Sequence, residues 1–498
     1  MGGRRAGPAF RGIRFPAVKR ILNFIDGQFR PPCSGRYLPN VDPATGQVIA
    51  ETAESGAEDV DAAVAAASRA FESWRRTPAE ERSRLLIRVA ELIEENFDEL
   101  ARLESEDSGK PIALARRIDV PRAILNFRFF ATAILHAETR AHVTDDRALN
   151  YTLRQPLGVA GLISPWNLPL YLLTWKIAPA IAAGNCCVAK PSELTPLTAD
   201  RLAALTLEAG IPPGVVNIVH GLGGSAGRAL TSHPNVPLIS FTGGTRTGAD
   251  VMARAGPLFK KVSLELGGKN PNIVFADADL EQAVATSIQS SFANQGEICL
   301  CGSRLFVEKT IYEEFLDRFL EGTKRLRIGD PQDASTDVGA LVSEPHLRKV
   351  EGYVELAREE GGTILVGGKR PQNLPERVRD GYFLEPTVIA GLDCQRRVMQ
   401  EEIFGPVVTV TPFDSPEEAI AYANGTRYGL SASVWTRDLQ KAHRVAAAIE
   451  SGTVWVNTWL LRDLRVPFGG MKESGLGREG GFESLDFFTE AKNVCIKL

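Results

Sequence analysis

From Glu58 to Trp74 the apolar positions Val60, Val64, Ala67 and Phe71 recur at spacings of four, three and four, which predicts an amphipathic helix. A second helix is predicted to open at Thr77-Pro78-Ala79-Glu80, where Thr can cap, Pro suits the first turn and Glu80 can close a capping box. Its apolar face is read through Leu85, Val89, Leu92 and Leu100, and a further helix from Ile118 to Phe130. From about residue 158 the pattern changes to short apolar runs between helical stretches: Val159–Ile163, Cys186–Ala189, Val215–Val219 and Leu238–Phe241. The rhythm resumes after Gly268 with Ile273-Val274-Phe275 and Leu305-Phe306-Val307. Strands separated by helices imply right-handed crossovers and a mostly parallel sheet. The expectation is an α/β protein of two similar-sized domains joined near Glu265–Gly268, with folded structure starting near Leu22.

Composition narrows the partners. A chain of 498 residues exceeds what one core supports, which also asks for more than one domain. A net charge of -4 and a pI near 6.0 give no electrostatic footprint for nucleic acid. No apolar run approaches the roughly 20 residues of a bilayer span, so no membrane partner is expected. Seven cysteines, at 33, 186, 187, 299, 301, 394 and 495, are odd in number and sparse. They are not a disulfide framework and lack metal-ligand spacing, so no metal is assigned and a reduced, cytoplasmic setting is expected. The first 24 residues are basic, with Arg4, Arg5, Arg11, Arg14, Lys19 and Arg20 and no acid. This has the composition of a transit peptide or of a frayed terminal extension.

Three segments carry candidate chemistry. Asn294-Gln295-Gly296-Glu297-Ile298-Cys299-Leu300-Cys301 sets a thiol in a polar, glycine-containing turn, although a cysteine alone is more often a small buried hydrophobe. Glu265, in Leu264-Glu265-Leu266-Gly267-Gly268-Lys269, is an acid at an apolar strand end. Desolvation there raises its pKa and suits it to taking a proton from water; an ion pair with Lys261 or Lys269 is the plainer reading. Asn167, in Ser164-Pro165-Trp166-Asn167-Leu168-Pro169, follows a strand and could aim its amide into a crevice or simply form a turn.

In order and spacing these segments resemble the aldehyde dehydrogenase superfamily across residues 22–498. The resemblance implies that fold: a Rossmann-like NAD-binding domain (22–137 and 157–267), an α/β catalytic domain (268–466) and a small β oligomerisation arm (138–156 and 467–498), with 1–21 a disordered extension. It makes Cys299 the nucleophile, with Cys301 a neighbour without a required role. Glu265 becomes the general base, and Asn167 a donor to the oxyanion.

The implied cofactor is NAD. Two glycine-rich loops are candidates, His220-Gly221-Leu222-Gly223 and Phe241-Thr242-Gly243-Gly244, and the resemblance puts the diphosphate at Gly243-Gly244. Lys190 and Glu193 would hold the adenosine ribose, the carboxylate favouring NAD over NADP. Glu402 and Phe404 would serve the nicotinamide side, and Ile163, Trp166, Gly223 and Phe241 complete the expected contacts. The substrate side would comprise Arg122, Arg462, Trp175, Leu168 and Phe468.

Where the two arginines stand, many relatives are apolar or aromatic. Two guanidiniums would suit a substrate carboxylate; surface ion pairs, Arg122 with Asp119 and Arg462 with Asp463, are the alternative. The segments Asn150–Arg154, Asn294–Cys301 and Trp459–Gly470 are similar to the 2-aminomuconate and 2-hydroxymuconate semialdehyde dehydrogenases, the aminomuconate branch first. A small aldehyde partner and a homo-oligomer, dimer or tetramer, follow from the resemblance. A general aldehyde dehydrogenase of betaine or aliphatic type, a CoA-acylating relative and a non-catalytic scaffold are the rivals. Retained Glu265 speaks against the second, and intact Cys299 against the third.

Overall fold

The computed structural model describes residues 19–498. The basic amino-terminal segment lies outside the described residues up to position 18. Lys19–Ile21 already form a strand, paired in parallel with Gln47–Ala53, so the described fold begins ahead of Leu22.

Helix Ala57–Trp74 buries Val60, Val64 and Ala67, as their spacing requires. The next helix, Ala79–Glu95, departs from expectation at both ends. Pro78 stands at its N-cap without a side-chain cap, because the Thr77 hydroxyl instead donates to the Ser73 carbonyl at 3.4 Å. Asn96 (φ -105°, ψ 26°) breaks the helix, and Leu100 belongs to the following one, Phe97–Ser108. The helix expected from Ile118 starts at Val120 and follows a π-helical turn, Ala115–Asp119.

An eight-stranded sheet has the spatial order Gly475–Leu476, Lys261–Glu265, Leu238–Thr242, Val159–Ile163, Cys186–Lys190, Val216–Ile218, Asn23–Ile25, Gln28–Arg30. Its five middle strands are parallel. Val159–Ile163 and Cys186–Lys190 are buried at every position, which explains why they read as continuous apolar runs rather than as alternating ones. From Val159–Ile163 the chain first winds one way, through the two next strands, and then returns to add Leu238–Thr242 and Lys261–Glu265 on the other side. That reversal opens a crevice at the carboxyl ends of Val159–Ile163 and Leu238–Thr242.

After Glu265 the chain enters a seven-stranded sheet ordered Thr363–Val366, Thr387–Ala390, Val407–Phe413, Arg304–Glu308, Pro271–Val274, Ser431–Trp435, Thr453–Val456. All its neighbours are parallel except the first pair. Ala141–Thr144, Ala148–Pro156 and Thr489–Lys497 form a separate antiparallel sheet. Gly475–Leu476 closes one edge of the eight-stranded sheet, against Lys261–Glu265, while Asp486 reaches Arg154 of the antiparallel sheet at 2.8 Å. Among the described residues no helix is long and apolar enough to cross a membrane.

Candidate active site

The strand registers assemble one wall of the site. Ile163 pairs with Lys190 and with Phe241, and Thr242 with Glu265, so these residues share the carboxyl edge of the sheet. Asn167 follows in the loop before helix Pro169–Ala182, nearly buried. Its Nδ2 donates to the Glu297 carbonyl at 2.9 Å, and its own carbonyl accepts from Asn294 Nδ2 at 3.1 Å. The Asn amide is therefore fixed to the segment leading to Cys299, and one of its two Nδ2 hydrogens is left over.

That segment is held in an uncommon conformation. Asn294, Gln295 and Gly296 have φ of 52°, 55° and 71°. A Cβ on Gly296 would stand 2.1 Å from the Gly405 carbonyl oxygen, so glycine is required by backbone and space together. Asn270 Nδ2 donates to the carbonyls of Cys299 and Cys301 at 2.7 and 2.9 Å, tying the Glu265–Asn270 loop to the cysteine loop.

Two cavities meet at Cys299, which is only partly buried. One, of about 340 Å³, is lined by Glu265, Cys299 and Glu479, with Leu168, Trp175 and Phe468 among its apolar walls. The other, of about 270 Å³, is lined by Trp166, Asn167, Gly243, Gly244, Glu402 and Phe404. Thr242 and Leu172 border both. Cys301 is buried and borders neither, its expected place beside the site.

Glu265 is buried and its Oε1 has no hydrogen-bond partner. Neither lysine pairs with it. Lys261 Nζ donates to the carbonyls of Asp486 and Thr489, and Lys269 Nζ is itself unpartnered, its pKa pushed down to about 7 by burial. Burial lifts the Glu265 carboxyl well above the usual range, Glu479 adds to the lift, and Lys176, Arg462 and Arg478 oppose it. Burial also pushes the Cys299 thiol up, with Glu265 and Glu402 adding to it and Arg462 opposing.

The two arginines line the larger cavity. Arg122 lies 5.1 Å over the Tyr171 ring and 5.2 Å over Trp175, and Arg462 lies 3.7 Å over Phe468. The surface ion pairs do not form. Asp119 pairs with Lys110 at 2.9 Å and Asp463 with Arg465 at 2.6 Å. Arg122 Nε and Nη2 and Arg462 Nε are buried without a hydrogen-bond partner.

In the smaller cavity Trp166 meets Phe404 edge to face, with centroids 5.3 Å apart. Glu402 is drawn in by the Gly268 N–H at 2.9 Å, over a glycine at 267 whose added Cβ would lie 2.3 Å from its Oε2. A Cβ added to Gly244 would meet nothing within 4 Å, so this N-cap of helix Thr245–Ala255 faces open space. Lys190 Nζ reaches Glu193 Oε2 at 3.3 Å at the strand end. Gly223 starts an exposed π-helical turn apart from both cavities.

Sequence reasoning passed over several groups at the site. Lys176, in the otherwise apolar helix Pro169–Ala182, donates to Glu479 Oε1 at 2.9 Å and to Ser240 Oγ at 2.8 Å, and Glu479 lines the larger cavity. A lone charge in an apolar helix was the available signal. His346 and Lys349 line the smaller cavity and Arg117 the larger, on helical segments whose sequence gives no hint of a site.

The chain belongs to the aldehyde dehydrogenase family, whose model matches residues 29–494. It is similar to the 2-aminomuconic semialdehyde dehydrogenase of Danio rerio, at 56% identity over 96% of this chain and 98% of that protein. The 2-hydroxymuconic semialdehyde dehydrogenase of Pseudomonas sp. strain CF600 is 49% identical over 97% of this chain and 100% of its own length. An aldehyde dehydrogenase from Bacillus cereus, solved in its NAD+ complex, superposes with a TM-score of 0.93 at 41% identity, covering 96% of this chain and 97% of that one.

Proposed function

We propose that this chain oxidises a carboxylate-bearing aldehyde to the acid with NAD, 2-aminomuconate 6-semialdehyde being the first-choice substrate and 2-hydroxymuconate semialdehyde the second. One observation carries the substrate class: Arg122 and Arg462 both line the cavity that Cys299 and Glu265 line, and the neighbouring Asp119 and Asp463 are paired elsewhere. Two guanidiniums without a carboxylate partner in one cavity suit a carboxylate carried by the substrate. The names of the Danio rerio and Pseudomonas relatives support the muconic semialdehydes.

The smaller cavity suits NAD. The open helix N-terminus at Gly244 would receive the diphosphate, Lys190 and Glu193 the adenosine ribose, and Glu402 with Phe404 the nicotinamide end. Trp166, which lines the smaller cavity, and Ile163, Gly223 and Phe241, which lie outside it, complete the proposed binding set.

Cys299, as thiolate, attacks the aldehyde carbon and forms the C–S bond. The remaining Asn167 amide hydrogen stabilises the oxyanion, a contact of the kind worth roughly 3–4 kcal/mol. A nicotinamide held beside Phe404 and Glu402 would supply the hydride acceptor, and the carbon bound to Cys299 Sγ is left as a thioester. Glu265 then takes a proton from water, the hydroxide adds to the thioester carbon, and the C–S bond breaks to release the acid and the thiolate. Leu168, Trp175 and Phe468 shape the apolar passage along which the substrate chain lies. Seven free cysteines support a cytoplasmic setting, and the exposed edges of the three-stranded sheet support a homo-oligomer.

The test is kcat/KM for muconic semialdehydes and for hexanal in wild type, Arg122→Ala and Arg462→Ala. A charge-assisted hydrogen bond is worth roughly 1.5–3 kcal/mol, so each variant should lose about tenfold to a hundredfold on the carboxylated aldehyde and little on hexanal. Equal losses on both would make the arginines structural and remove the substrate assignment.

A further inference from the structure

His346 takes no part in the chemistry above, yet it stands where three pieces of the site converge. Its Nε2 lies 2.6 Å from the Phe404 main-chain oxygen and 3.5 Å from Glu297 Oε1. A carbonyl only accepts, so Nε2 carries the hydrogen. The ring packs edge-on to Trp166, centroids 5.1 Å apart, and borders the smaller cavity. Burial, with Lys349 near, pulls the imidazole down to about 4, and burial lifts the Glu297 carboxyl well above its usual range. Their contact is thus not an ion pair at neutral pH.

Each partner matters to a different wall. Phe404 holds a left-handed backbone (φ 61°), a conformation that a phenylalanine keeps only where its surroundings enforce it. Glu297 precedes Cys299 by two residues. Its side chain accepts from the Val342 N–H at 3.2 Å, and its carbonyl is the acceptor that orients the Asn167 amide.

We propose that His346 is a positioning residue that fixes the Phe404 backbone and the Glu297 loop against each other, setting the smaller cavity in register with Cys299 and Asn167. The proposal rests on the functional reading above, since register matters only if a hydride passes between the two cavities. Misplacement of reacting groups by about 1 Å costs about a hundredfold, which makes the step between the cavities the sensitive one.

The full-length protein, in excess over a muconic semialdehyde and mixed with NAD+, should form NADH in a single-turnover burst. His346→Leu should slow that burst about tenfold to a hundredfold and raise the isotope effect with the substrate deuterated at its aldehyde carbon. Its KM for the aldehyde should stay within about twofold of wild type, because the larger cavity is untouched. His346→Gln, whose amide N–H can reach the same carbonyl, should recover most of the rate. Should the Leu variant not fold, His346→Asn, polar but too short to reach Phe404, carries the same expectation as Leu. An unchanged burst in the Leu or Asn variant, or a Gln variant as slow as either, would overturn the coupling alone. A wild-type protein that formed no NADH at all would overturn the functional reading and the coupling with it.

Discussion

Glu265 shows how far a single position can be argued. In the sequence, an acid at an apolar strand end was equally compatible with an ion pair and with a base. Packing decides between them: Lys261 is committed to main-chain carbonyls, Lys269 stands apart, and the carboxylate is left unpartnered beside Cys299. Its raised pKa has two consequences of definite sign. Proton removal from water requires the carboxylate, so kcat should rise with pH along a limb above the ordinary carboxylate range, and Glu265→Gln should lose that limb. Stability runs the other way. A carboxyl whose folded pKa is raised stabilises the fold fully at acid pH, and that contribution is lost as pH rises through the folded value. Glu265→Gln should therefore match wild type in Tm at acid pH and exceed it increasingly toward alkaline pH. Parallel Tm curves would mean that the side chain ionises without penalty. The arginines were legible in a different way: their departure from an apolar norm marked them, but only the structure could show that Asp119 and Asp463 had other partners.

At the scale of elements, periodicity located nearly every helix and strand named from it, because strands buried on both faces and helices buried on one leave plain patterns. Boundaries were less legible. Thr77-Pro78-Ala79-Glu80 has the letters of a capping box, yet Thr77 bonds backward to Ser73, and nothing local distinguishes the two outcomes. The left-handed run Asn294–Gly296 was invisible too, and the space that requires glycine at 296 is set by the Gly405 carbonyl more than a hundred residues on. The proposed oligomer belongs at this scale. Ala141–Thr144 is exposed throughout and Thr489–Lys497 nearly so, and both are edges of the three-stranded sheet. Bare edges with Val143 and Ile496 exposed invite another strand. Light scattering at micromolar concentration should give a multiple of 54.0 kDa, and truncation before Thr489 should reduce it. A full-length monomer would count against the proposal.

Across the whole molecule, the site exists because one sheet delivers Glu265 and the loop with Asn167 while the chain beyond Asn270 returns Cys299 between two cavities. The three candidate residues were readable from three short motifs. Their supporting groups were not, since Lys176, Glu479, His346 and Lys349 reach the site from scattered segments through contacts that no local pattern encodes. The reaction proposed for this chain is a covalent oxidation at Cys299 with water activated by Glu265. Acid-quenched Glu265→Gln protein, mixed with NAD+ and 2-aminomuconate or 2-hydroxymuconate semialdehyde and digested for peptide mass spectrometry, tests it most directly. With deacylation slowed, the acyl mass should accumulate on the Cys299 side chain and vanish in Cys299→Ala. An adduct carried by Cys301, or NADH formed with no thioester trapped on Cys299, would contradict the account.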